Sequence, residues 1–203
     1  MGIHFDRKIF CMEYFRDNLK WDDYMCAALV GCMMAKSRLS SKYYDKGEKN
    51  GTNTSSPYCN KEQPYGEQNS PWSYSAGLLG WKQTNRKESA IQLAQGINKD
   101  KAIVTIKSRG IEGLSFDQQL HMIIMEITQG QFKDNFTIAM SKCESLQDAV
   151  ATVYCRYTNG YSSKTSIPNE SDIKRIDKTK TEYNKCLSFA EYVLDEYHKS
   201  IDI

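Results

Sequence analysis

The chain is predicted to fold as an α+β protein, predominantly α. Three observations carry this expectation. Several stretches repeat apolar residues at helical spacing. The most apolar of them, Tyr24 to Ala35, contains no charge. A polar stretch from Ser40 to Ser73, with almost no aliphatic residues, is followed by a short glycine-punctuated apolar element that suits a strand. The length of 203 residues accommodates one domain with a real core. The expected organisation is therefore a single domain over 1–203, with a polar insertion at 40–73 and a C-terminal helix at 172–201.

Phe5 to Leu19 reads as a first amphipathic helix, with Phe5, Ile9, Met12, Phe15 and Leu19 on one stripe. Asn18-Leu19-Lys20 is a short break. Asp22 or Asp23 is a good N-cap for the second helix, and Trp21 is placed for a hydrophobic staple. That helix runs to about Lys36 or Leu39, with Met25, Leu29, Cys32 and Met33 on one face. The stretch from Ser40 to Ser73 holds Pro57, Pro64 and Pro71, three of the four prolines. Loops of this length inside compact domains are usually functional or disordered, and its Tyr and Trp content favours an irregular insertion.

Tyr74 to Trp81 suits a strand, or a tight crossing where backbone approaches a ligand. Lys87 to Gln95 reads as helical, and Ala102 to Lys107 as a strand or part of a bent helix. Ser115 is a good N-cap for Phe116 to Gln129, whose apolar face is Leu120, Ile123, Ile124 and Ile127. Ser145 caps Leu146 to Tyr157 in the same way. After a turn-rich stretch from Asn159 to Ser171, Asp172 to Ile201 reads as one long helix, basic at its start.

Composition narrows the function classes. A net charge of +2 implies no strong polyelectrolyte partner. The basic stretch from Lys174 to Lys185 is interrupted by acids, so a solvated helix face is preferred to a nucleic-acid surface. The 7 cysteines are odd in number and lack paired short spacings; they read as small hydrophobes in a reduced protein rather than a disulfide framework. With 3 His and no Cys-x-x-Cys, no metal site is expected, and no cofactor is implied. No segment reaches the roughly 18 apolar residues of a membrane span. The N-terminus lacks a signal peptide's order of charge and apolar run, so synthesis in a cytoplasm is expected.

Lys36 is the most informative residue. It lies four residues after Cys32 and seven after Leu29, so it continues the buried stripe of the second helix. A charge there is costly unless it is paired or a cleft solvates it. The plainer reading is a lysine favoured by the macrodipole at a helix C-terminus and snorkelling to water.

The surrounding order of motifs adds to this. Ala27 to Met34, with Gly31, leads into Ala35-Lys36-Ser37; a polar loop follows, then Gly77-Leu78-Leu79-Gly80-Trp81, then a helix. This arrangement resembles the lysozyme and lytic-transglycosylase superfamily, most closely the tail-associated lysozyme domains of bacteriophages. In that family the apolar helix ends in Glu-Ser, the Glu being the catalytic acid, and a Gly-Leu-x-Gln-Trp element lines the sugar cleft. Here Lys36 stands at the acid's position and Gly80 replaces the Gln. Leu120 to Glu126 resembles the family's apolar helix ending in an acidic residue. Ala149 to Tyr157 resembles its Ala-rich helix ending in Tyr-Glu-Arg-Pro, although this chain continues Thr158-Asn159. The likeness covers roughly residues 17 to 160.

The resemblance implies a lysozyme-like fold, with a helical lobe and a small irregular β-containing lobe. It implies a muramidase-like tail lysin, hydrolase or lytic transglycosylase, carried in the virion and acting at the bacterial cell wall. Its partners would be the peptidoglycan glycan strand and other phage tail or virion proteins. Tyr74, Trp81 and Tyr157 would flank the sugars, backbone groups near Gly77 and Gly80 would hydrogen-bond N-acetyl groups, and Ser37 and Leu78 would also bind substrate.

Lys36 breaks this chemistry. Glycoside cleavage needs a proton donor and then a charge that stabilises an oxocarbenium ion. An ammonium is a poor donor near neutral pH, and its charge has the wrong sign for the developing cation. Losing a general acid costs on the order of 10² to 10⁴ in rate. Asp45 and Glu48 of the insertion are candidates for orienting water, or for pairing with Lys36. The chain is therefore expected to be inactive as it stands. The alternative is a non-catalytic cell-wall-binding or structural virion module on the same fold.

Overall fold

Several of the described helices start at a side-chain cap. The computed structural model describes residues 6–41, 44–45, 75–82, 114–130, 132–159 and 164–201. The Asp6 carboxylate accepts the Lys8 amide at 3.0 Å and opens α1 (Arg7–Leu19). Lys20 closes it in the left-handed conformation, its amide donating to the Arg16 carbonyl. Helix α2 (Asp23–Ser37) begins after Asp22 and ends at Arg38, again left-handed. Its residues from Met25 to Met33 are all buried, as befits a helix apolar on every side.

Among the described residues, three two-residue strands lie between α2 and the next helix, β1 (Tyr44–Asp45), β2 (Ser75–Ala76) and β3 (Trp81–Lys82). They pair antiparallel in the order β1-β2-β3, with Tyr44 opposite Ala76 and Ala76 opposite Trp81. The turn between β2 and β3 needs its glycines: Gly77 and Gly80 have φ of 73° and 56°. The Gly80 amide closes it onto the Gly77 carbonyl at 3.0 Å. The strand-or-crossing expectation for Tyr74 to Trp81 is thus a tight hairpin over 75–82. Lys87 to Gln95, Ala102 to Lys107 and most of the 40–73 insertion lie outside the described residues.

Helix α3 (Phe116–Thr128) opens with a reciprocal box: the Gln118 amide donates to Ser115 Oγ, and the Ser115 amide to Gln118 Oε1. Its expected face of Leu120, Ile123, Ile124 and Ile127 is buried. Helices α4 (Asn135–Met140) and α5 (Leu146–Thr152) follow, Ser145 Oγ accepting the Asp148 amide at 3.2 Å. The chain then widens into a π-helical turn, Val153–Thr158, sealed by the Asn159 amide on the Tyr154 carbonyl five residues back.

The single helix expected over 172–201 is corrected to two, α6 (Glu170–Ile176) and α7 (Thr181–Ile201). Asp177 ends the first with extended backbone, and its carboxylate turns forward to accept the Glu182 and Tyr183 amides. A side chain that satisfies the open N–H groups of a new helix competes with continuing the old one.

The described structure is predominantly helical, and none of its helices is long and apolar enough to cross a membrane. The chain divides into two compact units, Met1–Leu39 with Glu126–Ile203, and Ser40–Met125. In the first, α2 packs most extensively on α7 and next on α5. Gly31 makes the α7 contact possible: a Cβ there would lie 2.5 Å from the Ala190 nitrogen. In the second unit, Gln119 is wholly buried and ties the hairpin to its neighbours. Its Oε1 accepts the Leu78 amide at 2.9 Å, and its Nε2 donates to the Ser41 and Leu114 carbonyls at 2.8 and 3.2 Å.

Candidate functional site

Lys36 occupies the last turn of α2 and its side chain is only 16% exposed. Its ammonium forms an ion pair with Glu182 and donates to Asn159 Oδ1 at 3.3 Å. Glu182 is in the first turn of α7, and its second carboxylate oxygen accepts the Tyr154 hydroxyl at 3.1 Å. Each charge stands at the helix end whose dipole favours it, the ammonium at a C-terminus and the carboxylate at an N-terminus.

The π-helical turn supplies the rest of the cluster. Tyr154 lies within it and Asn159 directly follows it. Asn159 Nδ2 donates back to the Tyr154 carbonyl at 3.3 Å and to Thr158 Oγ1 at 3.2 Å. Burial raises the Tyr154 hydroxyl well above its usual pKa, and the Glu182 carboxylate raises it further. The phenol therefore remains a donor throughout the neutral range. Lys36, Asn159, Tyr154 and Glu182 form one satisfied polar network at the edge of an apolar helix interface.

The other residues expected at the site divide in two groups. Ser37 is buried, and its hydroxyl donates to the Met33 carbonyl one turn back. Tyr157 is corrected from a saccharide platform to a core residue. It is 1% exposed, its ring stacks on Phe136 at 5.2 Å and meets Phe132 edge-on at 4.8 Å, and its hydroxyl donates to Glu126 Oε2 at 2.7 Å. A sugar needs an open ring face, which Tyr157 lacks. Leu78 is likewise buried, with its amide committed to Gln119, so that N–H is not offered to an N-acetyl group. Gly77 is buried and Gly80 half-buried at the hairpin turn. Asp45 and Trp81 are placed by their backbones in β1 and β3, while Tyr74 and Glu48 lie outside the described residues. Lys36 and Tyr157 belong to one compact unit and the Gly77-to-Trp81 element to the other.

Glu182, Asn159 and Tyr154 were missed from sequence. Glu182 carried a signal: it lies four residues before Cys186 and eight before Ala190, both wholly buried, so it extends the buried stripe of α7. Two apolar stripes, each ending in a charge of opposite sign, were candidates for pairing. Asn159 and Tyr154 carried none, because the π-helical turn that presents them shifts the register by one residue.

The chain matches no family model, no curated protein and no solved structure. The functional reading therefore rests on the residues themselves. Chemically, the cluster gives Lys36 a fixed position and a counter-charge, which suits it to holding a shape or a polar ligand.

Proposed function

We propose that this chain is a glycan-holding module of a bacteriophage tail, built on a lysozyme-like frame with a small β-containing lobe. It engages the peptidoglycan strand without cleaving it. The observation that carries this reading is the engagement of Lys36: at the place where the resembling family keeps its acid, this chain has an ammonium locked to Glu182 and Asn159. General-acid cleavage requires a proton donor aimed at a leaving oxygen. An ammonium held by a carboxylate and an amide oxygen brings neither a carboxylic acid nor a negative charge to that position.

The test is co-sedimentation with insoluble peptidoglycan alongside a turnover assay. Wild-type chain should sediment and release no soluble glycan. Lys36→Glu alone sets two carboxylates together, so it is paired with Lys36→Glu/Glu182→Gln, which restores an acid without that repulsion. Appearance of turnover in the double variant supports descent from a cleaving enzyme. Turnover by the wild type, or failure of the wild type to sediment, removes the reading.

A further inference from the structure

A cleft at the other end of α2 gathers side chains that the Lys36 cluster does not use, all within the first compact unit. Lys20 ends α1 in the left-handed conformation, and α2 starts three residues later. This turn leaves Arg16, in the last turn of α1, beside Asp23 at the start of α2. His198, in the last turn of α7, joins them. Together with Trp21, Asp22 and Tyr24 they line a cavity of about 490 Å³, within the size range of small-molecule sites. Trp21 is half-buried, so unlike Tyr157 it keeps ring surface for a ligand.

The walls of this cleft are held from behind. Arg16 Nη1 donates to the Tyr197 hydroxyl at 2.7 Å, and the Tyr24 hydroxyl donates to the Cys143 carbonyl at 2.7 Å. The Trp21 ring meets Phe136 edge-on at 6.0 Å. The charged groups are close without being spent on each other. Arg16 Nε stands 3.9 Å from Asp23 Oδ1, and His198 Nε2 stands 3.4 Å from Asp23 Oδ2. Both separations exceed the about 2.7–3.2 Å of an N–H···O hydrogen bond. Asp22 occupies the N-cap position of α2, yet its carboxylate accepts no capping hydrogen bond.

This spacing selects a class of ligand. An ammonium placed on Asp23 would sit beside the Arg16 guanidinium, and a carboxylate placed on Arg16 would sit beside Asp23. Either ion is repelled by the other member of the pair. A hydroxyl suits both at once, because it accepts from the guanidinium and donates to the carboxylate. A neutral ring that carries several hydroxyls and turns a C–H face to an indole is a saccharide. We infer that this cavity, bounded by Arg16, Trp21, Asp22, Asp23 and His198, is a saccharide subsite. The indole packs on one face of a sugar ring, and ring hydroxyls bridge Arg16 to Asp23. The inference rests on the glycan-holding reading for the identity of the sugar, and it puts the grip at the opposite end of α2 from Lys36.

A soluble tetramer of N-acetylglucosamine is titrated into the full chain by calorimetry, beside the co-sedimentation with insoluble peptidoglycan. The wild type should bind the tetramer. Arg16→Gln and Asp23→Asn carry the test, because Arg16 is exposed and Asp23→Asn keeps the side chain's shape. Each should weaken tetramer binding by roughly tenfold, the size of a lost hydrogen bond to a charged group. Trp21→Ala should abolish it, and Trp21→Phe, which keeps an aromatic face, should restore part of it. Circular dichroism of each variant checks that the helices persist. A wild type that does not bind the tetramer, or tetramer binding that neither Arg16→Gln nor Asp23→Asn weakens, overturns the inference. A chain that still sediments with peptidoglycan in either of those cases loses this subsite and keeps the glycan-holding reading. A chain that neither sediments nor binds the tetramer loses both.

Discussion

Two ionisable residues near the ends of apolar helices are settled in opposite ways within the same compact unit. Lys36, at the end of α2, keeps partial contact with water and is matched by a carboxylate from α7, itself 44% exposed. Glu126, near the end of α3, is 1% exposed and accepts a neutral phenol, Tyr157, held in an aromatic cluster with Phe132 and Phe136. The rim tolerates a pair of full charges because solvent still screens both of them. The core supplies a hydrogen-bond donor that brings packing surface with it. A charge at the end of an apolar stripe therefore announces a partner.

The core half of this comparison should be the more expensive to disturb. Tyr157→Ala removes a ring packed on two others as well as the donor to Glu126, and should lower the unfolding free energy by about 3–5 kcal/mol. Tyr157→Phe keeps the ring and deletes only the donor, at a cost of about 1–3 kcal/mol. Urea titration of both variants gives the two values. If Tyr157→Phe costs as much as Tyr157→Ala, packing contributes little and the aromatic cluster is not what holds this corner.

The rim half should respond less, and in a way that reveals coupling. Glu182→Gln leaves a mostly covered ammonium with Asn159 and a neutral amide, and should cost about 1–2 kcal/mol. Lys36→Glu replaces attraction by repulsion and should cost more. Exchanging the charges, Lys36→Glu/Glu182→Lys, should recover most of the loss, though not all, because each charge then opposes its helix dipole. A double-mutant cycle measures this directly, with an expected coupling above about 1 kcal/mol. Additive single-variant effects would mean that the two groups are neighbours without being partners.

Sequence spacing had revealed much of this architecture and little of its polar wiring. The charge-free run of α2 and the serine caps at Ser115 and Ser145 stand where periodicity and capping chemistry put them, because both signals are local. The break at Asp177 was invisible: Asp177 to Lys180 contains neither Gly nor Pro, and what ends α6 is a carboxylate finding the amides of the next helix. Tyr157 was misjudged for a related reason. An aromatic on an amphipathic stripe suits either a ligand platform or a core, and what decides is Phe132 and Phe136, some twenty residues earlier. The partner of Lys36 lies 146 residues away, beyond any window that periodicity can search.

The smallest expected effect concerns that hidden break, which also positions Glu182. Burial pushes the Asp177 carboxyl upward. The Tyr183 amide, the Thr179 hydroxyl and the Glu182 amide together outweigh this and hold it below its ordinary value of 3.8. The folded protein thus binds this proton less readily than the unfolded chain. The stabilisation is fully present at neutral pH, begins to fall as pH drops toward 3.8, and is gone once pH lies below the folded value. Asp177→Ala should cost about 1 kcal/mol at pH 7, the usual size of a lost helix cap. The gap between variant and wild type should close in acid, which urea titrations at pH 7 and in strong acid would reveal. A gap that persists in strong acid would mean that Asp177 acts through backbone conformation rather than through its charge. The rim pair would then depend on the turn alone for the position of Glu182.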